Sequence, residues 1–501
     1  MASDSTAKPS ARNSHLPWAA ALIISAFACL ALIAPLASLP FRVARNFNEG
    51  WNAYWAMAAA SGGQLYPAMT ALTSNNYPPV SFFVLGFLGH APADPILAGR
   101  VLAFASLLLV TINVVIWLLR NGVRTSLSLL SGAAFIITMD AVAPGYVAQN
   151  DPQWFAHALM TTGMLILWRQ PHSSARLASA ATLITLGGWV KQLLIPLPIA
   201  LALWLYNNNR RAFWRWLALL GLLGLVFSAL TIAGYGHDVI DGILWAPRRI
   251  SLKRPFMVAR SALPPLIPFL CFAAMLCRSY RTSSAARFAL NYLAIALAVA
   301  AVACTGDGVW VNAAFDIAIA GALATGMALE RITAELTENR RKHPVQISLS
   351  LGAVAIFSFW TVSALSSNVE RLDVLQSRIA ATNTDIEFLR HHDAHNAACE
   401  SLALCFWAGS PFNLDFFNYG QKLKTGRVPL EICSRLFDGT RYTVIHMYSA
   451  PTAPDALLPP RCVRDITQHY ELARTSTNGF FLLPRAPRKA ASTGPPLLAK
   501  R

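Results

Sequence analysis

VLAFASLLLVTINVVIWLL, residues 101–119, runs for nineteen positions without a charge and is closed by Arg120. That is close to the ~20 apolar residues that cross a bilayer core. Leu16–Leu39 and Trp216–Ala233 repeat the pattern on either side. Further apolar blocks place spans near 16–39, 101–119, 127–143, 152–168, 177–190, 192–206, 215–235, 262–277, 288–304, 314–330 and 346–366. The sequence therefore predicts an all-α polytopic membrane protein of about eleven transmembrane helices. Composition agrees: 55% of the 501 residues are hydrophobic and 13% charged, against roughly 25% charged in soluble domains. The first block has Lys8, Arg12 and His15 before it, but it is long and no A-x-A-like cleavage site clearly ends it. It is expected to be an uncleaved first helix.

The net charge of +17 points to topology and not to nucleic acid. Arg120/Arg124, Arg169/Arg176, Arg210/Arg211/Arg215, Arg278/Arg281/Arg287 and Arg331/Arg340/Arg341/Lys342 fall in alternate loops. This positive-inside pattern puts a short tail, 1–15, in the cytoplasm. The transmembrane domain is then 16–366, with external loops at 40–100, 144–151, 191, 236–261 and 305–313. Residues 367–484 are expected to form a small α/β domain outside, and 485–501 a disordered basic tail. Within the outer domain, 368–392 reads as an amphipathic helix, Tyr442–Met447 and Phe480–Leu483 as strands, and Val428–Phe437 as helical. Cys29, Cys271, Cys277 and Cys304 lie in or beside apolar blocks, whereas Cys399, Cys405, Cys433 and Cys462 all lie in the outer domain. An even set in an oxidising compartment suggests disulfides; of three connectivities, Cys399–Cys405 with Cys433–Cys462 is favoured.

Loop 40–100 is dense in Trp, Tyr, Asn and Pro. Its segments are Asn48-Glu-Gly-Trp-Asn-Ala-Tyr54, Gly63-Gln-Leu-Tyr-Pro67 and Asn75-Asn-Tyr-Pro-Pro-Val-Ser-Phe82. An aromatic interfacial belt is the plainer reading. The pattern resembles the first external loop of GT-C glycosyltransferases, in the bacterial branch related to protein O-mannosyltransferases and lipid A aminoarabinose transferases. The likeness continues in Gln149-Asn-Asp-Pro152, Lys191-Gln192, Gly308-Val-Trp-Val-Asn-Ala-Ala-Phe-Asp316, Cys399-Glu400, Trp407-Ala-Gly409 and Asp415-Phe-Phe417. It implies transfer of a sugar from a polyprenyl-phosphate carrier to a glycan, glycolipid or protein acceptor, with inversion at the sugar carbon, on the outer face of the inner membrane. It also places Asn48, Trp51, Tyr54, Tyr66, Tyr77 and Asn312 among the substrate-binding residues.

The chemistry can be read from the residues as well. A hydroxyl attacking a sugar carbon needs a base, and a phosphate leaving group needs cations more than a proton donor. Glu49 is the candidate base, or with Asp151 a ligand for a divalent ion such as Mg²⁺ or Mn²⁺. Asp151 before Pro152 also suits a helix start. Arg248 and Arg249 stand in an outer loop that breaks the charge rule, together with Lys253, Arg254 and Arg260. Phosphate recognition explains such misplaced charge, as does attraction to lipid headgroups. Lys191, between two short apolar blocks, is either a phosphate ligand or a snorkelling lysine. Of the outer histidines, His391, His392 and His395 have helical spacing for a metal, but solvated polar residues are the plainer explanation. No P-loop or nucleotide-binding glycine motif is present. The rival class is a non-enzymatic carrier of lipid-linked sugars, against which stands the absence of paired repeats in the two halves.

Overall fold

The computed structural model describes residues 15–89, 94–170, 173–338, 344–451 and 456–485. The tails 1–15 and 485–501 thus fall almost wholly outside the described residues, as do His90, Arg340, Arg341 and Lys342. The chain divides into two compact units, one of residues 1–69 with 74–379 and one of residues 70–73 with 380–501.

The first unit is helical. In chain order it holds α1 (His15–Ala31), α2 (Ile33–Ala37), α3 (Phe47–Ala60), α4 (Val80–Leu88), α5 (Pro95–Arg120), α6 (Thr125–Val142), α7 (Gln153–Arg169) and α8 (Ser174–Val190). There follow α9 (Pro196–Asn208), α10 (Arg210–Tyr235), α11 (Asp238–Ile243), α12 (Arg254–Leu276), α13 (Ser284–Ala303), α14 (Phe315–Glu338) and α15 (Pro344–Asp373), and α16 (Leu375–His391) leads into the second unit. Eight helices among the described residues are long and apolar enough to cross a membrane, so the protein is a polytopic membrane protein. The three remaining expected spans coincide with α7 and α8, of 17 residues each, and α9, of 13.

Helix starts follow local chemistry. Asp94 accepts from the Ile96 and Leu97 amides and is followed by Pro95, an N-cap and first-turn proline that open α5. Asn46 caps α3 by accepting from the Asn48 amide. Helices α6 and α14 are mostly buried and lie at the centre, whereas α10 and α15 are mostly exposed at the periphery. The lipid-facing side of α10 carries Leu222, Leu225 and Leu230, as bilayer contact requires. Indoles fasten the cytoplasmic half predicted by the charge pattern: Trp168 stacks on Trp204 with centroids 4.3 Å apart and meets Trp117 at 5.0 Å. Polar bridges join helices deeper in. Asn113 donates to Thr161 and Thr162, and Asp140 accepts from Arg371 (2.8 Å) and Asn368 (2.6 Å). Asp140 is buried two residues before the end of α6, and a buried charge is tolerated there because it is paired.

The second unit is α/β. Its sheet has the order β1 (Ala397–Cys399), β2 (Val444–Met447), β4 (Gly479–Pro484), β3 (Tyr470–Ser476), with β1 parallel to β2 and the other neighbours antiparallel. Around it lie α17 (Leu402–Ala408), α18 (Phe416–Lys424), α19 (Ile432–Leu436) and α20 (Pro460–His469). Cys399 is bonded to Cys405, and Cys433 to Cys462. The second bond joins α19 to α20 beside Phe437, Ile466 and Tyr470 in the unit's apolar core. Cys29, Cys271, Cys277 and Cys304 are unpaired, each in or at the end of a helix of the first unit.

Candidate active site

Three places where α-helices of the first unit begin or end meet: the start of α3, the segment 144–152 between α6 and α7, and the segment 191–195 between α8 and α9. Pro144 and Gly145 end the first of two helical runs, and Pro152 resets the backbone for the next. Asp151 accepts from the Gln153 amide at 2.9 Å, which starts α7. The same carboxylate receives Lys191 Nζ at 3.1 and 3.4 Å and stands 3.5 Å from Asn48 Nδ2. Asp151 and Lys191 are 4% and 3% exposed, so this ion pair is out of water. Burial pushes the Lys191 ammonium down, but Asp151 and then Tyr77 outweigh it, and its pKa ends above the ordinary lysine value.

Tyr77 is the third member. Its phenol is hydrogen-bonded to Lys191, with Nζ 4.9 Å from the ring centroid. Tyr66 donates to the Tyr77 carbonyl at 2.8 Å, and Gln192 donates to the Asn76 carbonyl at 2.7 Å. Trp51 meets Tyr77 edge-on at 5.0 Å and donates to the Ser74 carbonyl. Tyr54 is half-buried one turn further along α3. Arg248 is half-buried, and its charge acts on the Tyr77 phenol. Arg249 is exposed, its carbonyl accepting from the Asp307 amide. Arg254, the first residue of α12, is paired with Asp307 at 3.1 Å. Asn312 exchanges hydrogen bonds with Gln153 at 2.9 and 2.7 Å, which ties the start of α14 to that of α7. A cavity of about 370 Å³ opens beside these residues, lined by Pro78, Trp189, Gln192, Thr231, Ile240 and Leu244 among others. Its wall is almost wholly apolar, and Pro78 and Gln192 directly follow Tyr77 and Lys191 in the chain.

Glu49 lies elsewhere in the same network. It is fully buried, and Arg100 grips it with two parallel bonds of 2.7 Å, Nε to Oε1 and Nη2 to Oε2. The Asn150 amide donates to Oε1 as well, at 3.2 Å. Arg100 also donates to the Leu39, Phe41 and Val43 carbonyls, and Arg45 donates to the Ala148 carbonyl. Burial pushes the Glu49 carboxyl up, but Arg100, its hydrogen bonds and Arg45 prevail and hold it below the ordinary value. A fork bound on both oxygens leaves little basicity. Gly99 permits this closeness: a Cβ there would stand 1.8 Å from Asn150 Oδ1.

The donor set does not fit a divalent ion held by Glu49 and Asp151, because each carboxylate already faces a side-chain cation. Among the described residues no group of three or more His, Cys, Asp or Glu is placed to hold a metal. Sequence reasoning passed over Arg100, Tyr146 and Gln153. Arg100 carried a usable signal, since it is a cation at the outer end of an apolar run, the same anomaly that marks Arg248. Tyr146 follows the Pro144-Gly145 break, and the Asp151 charge acts on its phenol.

A helical membrane unit joined to a small α/β unit is a fold already seen in a solved membrane protein. The chain is similar in structure to ArnT from Cupriavidus metallidurans. In the crystal structure of ArnT bound to undecaprenyl phosphate, the match covers 92% of this chain and 98% of that one, with a TM-score of 0.59 and 12% identity. For ArnT in the apo state the values are 93%, 98%, 0.58 and 13%. No protein-family model matches the chain, and no curated protein sequence matches it.

Proposed function

We propose that the protein is a membrane glycosyltransferase that takes a sugar from a polyprenyl-phosphate carrier and passes it, with inversion, to a hydroxyl at the outer face of the inner membrane. The observation that carries this reading is the buried Lys191–Asp151–Tyr77 cluster beside an apolar cavity. A polyprenyl phosphate has the matching parts, an anionic head and a long hydrocarbon tail. The solved ArnT structure holds such a lipid.

In the resting site Lys191 is neutralised by Asp151. An arriving phosphate competes for Lys191, with Arg248 at hand, and frees Asp151 to take the acceptor's proton. The acceptor oxygen then bonds to the sugar carbon, and the carbon–oxygen bond to the phosphate breaks on the opposite side. The proton ends on Asp151 and the electron pair on the phosphate, which leaves as an anion held by Lys191. On this reading the base is Asp151 and not Glu49. Glu49 instead fixes the start of α3 through Arg100, and Trp51 and Tyr77 wall the site.

Asp151→Asn is expected to lower the transfer rate by about 10²–10⁴-fold with donor binding retained. Lys191→Gln, and to a smaller degree Arg248→Gln with Arg249→Gln, is expected to weaken binding of undecaprenyl phosphate. The measurements are transfer per molecule of purified protein and, separately, binding of the lipid. A rate within about threefold of wild type in Asp151→Asn, far short of a base contribution, overturns the assignment. Asp151→Asn also leaves Lys191 without its counter-charge, so the unfolding temperature is measured beside the rate.

A further inference from the structure

Arg45, Arg371 and Arg378 take no part in the cluster around Lys191, yet all three are half-buried in the first unit and fixed there. Arg45 donates to the Ala148 carbonyl and, at 2.7 Å, to the Ser38 hydroxyl. Arg378 donates at 3.0 Å to the carbonyl of Ala44, the residue beside Arg45. Among the described residues the hydrogen bonds of Arg45 and Arg378 all go to neutral oxygens. Arg371 differs from them in having a counter-charge, Asp140 at 2.8 Å.

The backbone brings the last two together. Val374 stands between α15 and α16 but keeps the helical path: its amide donates to the Glu370 carbonyl at 3.1 Å, and its carbonyl accepts from the Arg378 amide at 3.0 Å. Arg371 and Arg378, two turns apart, therefore share one face, about 10 Å from each other along the axis. That face looks inward. Val362 and Val369, on the opposite side of α15, are 64% and 67% exposed, and Glu370 and Asp373 are exposed on other sides of the helix.

Charge at this place is unbalanced. Burial and then the charge of Arg100 push the Arg45 guanidinium down to about 9; Glu49 opposes them, and Arg378 and Arg371 add to the push. Four guanidinium groups, of Arg45, Arg100, Arg371 and Arg378, thus stand against the two carboxylates of Glu49 and Asp140. Cations withdrawn from water are costly unless an anion meets them.

We propose that Arg45, Arg371 and Arg378 form a phosphate site apart from the Lys191–Asp151 pair, one that takes a phosphomonoester dianion. Guanidinium forks match phosphate oxygens in pairs. A monoester carries about −1.5 to −2 charges near pH 7, which meets the surplus. The head of phosphatidic acid and free inorganic phosphate offer this same chemistry. The site does not depend on the sugar-transfer reading.

The test uses the full chain in nanodiscs of phosphatidylcholine at constant ionic strength. Wild type is compared with Arg45→Gln, Arg378→Gln and the double variant Lys191→Gln with Asp151→Asn. Two probes are used, inorganic phosphate added to the solution and phosphatidic acid built into the nanodisc. The readouts are binding of each radiolabelled probe and the unfolding temperature, which a ligand of the folded state raises. At least one probe is expected to bind and stabilise wild type and the Lys191/Asp151 double variant alike. Each arginine substitution is expected to weaken that binding about tenfold, the worth of one hydrogen bond to a charged group. A response to phosphatidic acid without one to inorganic phosphate assigns the site to a lipid head, and a response to inorganic phosphate assigns it to the soluble ion. No response of wild type to either probe overturns the proposal. So does binding that survives in both arginine variants, or that is lost in the Lys191/Asp151 double variant alone. If Arg45→Gln does not fold, Arg378→Gln, which removes a single bond to the Ala44 carbonyl, decides by the same readouts.

Discussion

Glu49 and Arg100 are charged side chains in a place without water, and each is tolerable only because of the other. Removing one partner of a buried pair costs about 3–5 kcal/mol, because the survivor stays charged and unpaired. Glu49→Gln is therefore expected to accumulate poorly and to unfold at lower temperature. Glu49→Gln combined with Arg100→Met is expected to recover much of that loss, read by thermal unfolding of the solubilised protein. A Glu49→Gln variant as stable as wild type but about 10²–10⁴-fold slower in transfer returns the base role to Glu49. From the sequence this carboxylate reads as the candidate base or as a metal ligand. What separates these readings is its partner 51 residues away, and no local pattern announces that distance. Asp151, Lys191 and Tyr77 were each marked in the sequence, but as separate candidates. Their convergence depends on the packing of α7 and α8 and on the path of the first loop.

At the scale of elements, hydropathy locates the long helices because lipid imposes one rule on every residue of a span. It is weaker for α8 and α9, which are short and meet at the Lys191 break. In the second unit, strands near Tyr442–Met447 and Phe480–Leu483 were legible as apolar runs and correspond to β2 and β4. Strand β1 has only three residues, and most of β3 is exposed and polar, so neither has a hydrophobic period to detect. Strand β2 also carries His446, fully buried. The Ser401 amide donates to its Nδ1 at 3.3 Å, so Nε2 bears the proton and donates to the Asn478 carbonyl at 3.0 Å. Burial pulls its pKa from 6.5 down to about 4. The unfolded chain thus binds a proton that the folded unit refuses. Stability contributed by neutral His446 is complete above about pH 6.5 and is lost as pH falls toward 4. Unfolding midpoints across that window are expected to drop in wild type and to drop less in His446→Gln. Equal slopes count against the assignment.

Across the whole molecule, the two disulfides and the alternation of basic loops predict the same sidedness, one that puts the α/β unit in an oxidising compartment. A reporter fused after Ser367 is expected to be active only outside the cytoplasm, and a cytoplasmic signal reverses the topology. Cys433 and Cys462 are 29 residues apart and Cys399 and Cys405 only 6. By loop-closure entropy the longer bond is worth about 3–4 kcal/mol, and its loss, by serine at both positions, is expected to lower the unfolding temperature more than loss of the shorter.

The cavity between α8, α10 and α11 has a further consequence. Its outer wall, α10, is the most exposed of the spanning helices, and Leu244 at its rim is itself 68% exposed. A guest with a hydrocarbon tail can slide in sideways from the leaflet and never meet water. Occupancy then follows the guest's mole fraction among the lipids, in two dimensions, and not its molarity in solution. On the proposed reading of this cavity as the seat of the donor's tail, diluting the bilayer with inert lipid should empty it as surely as withholding substrate.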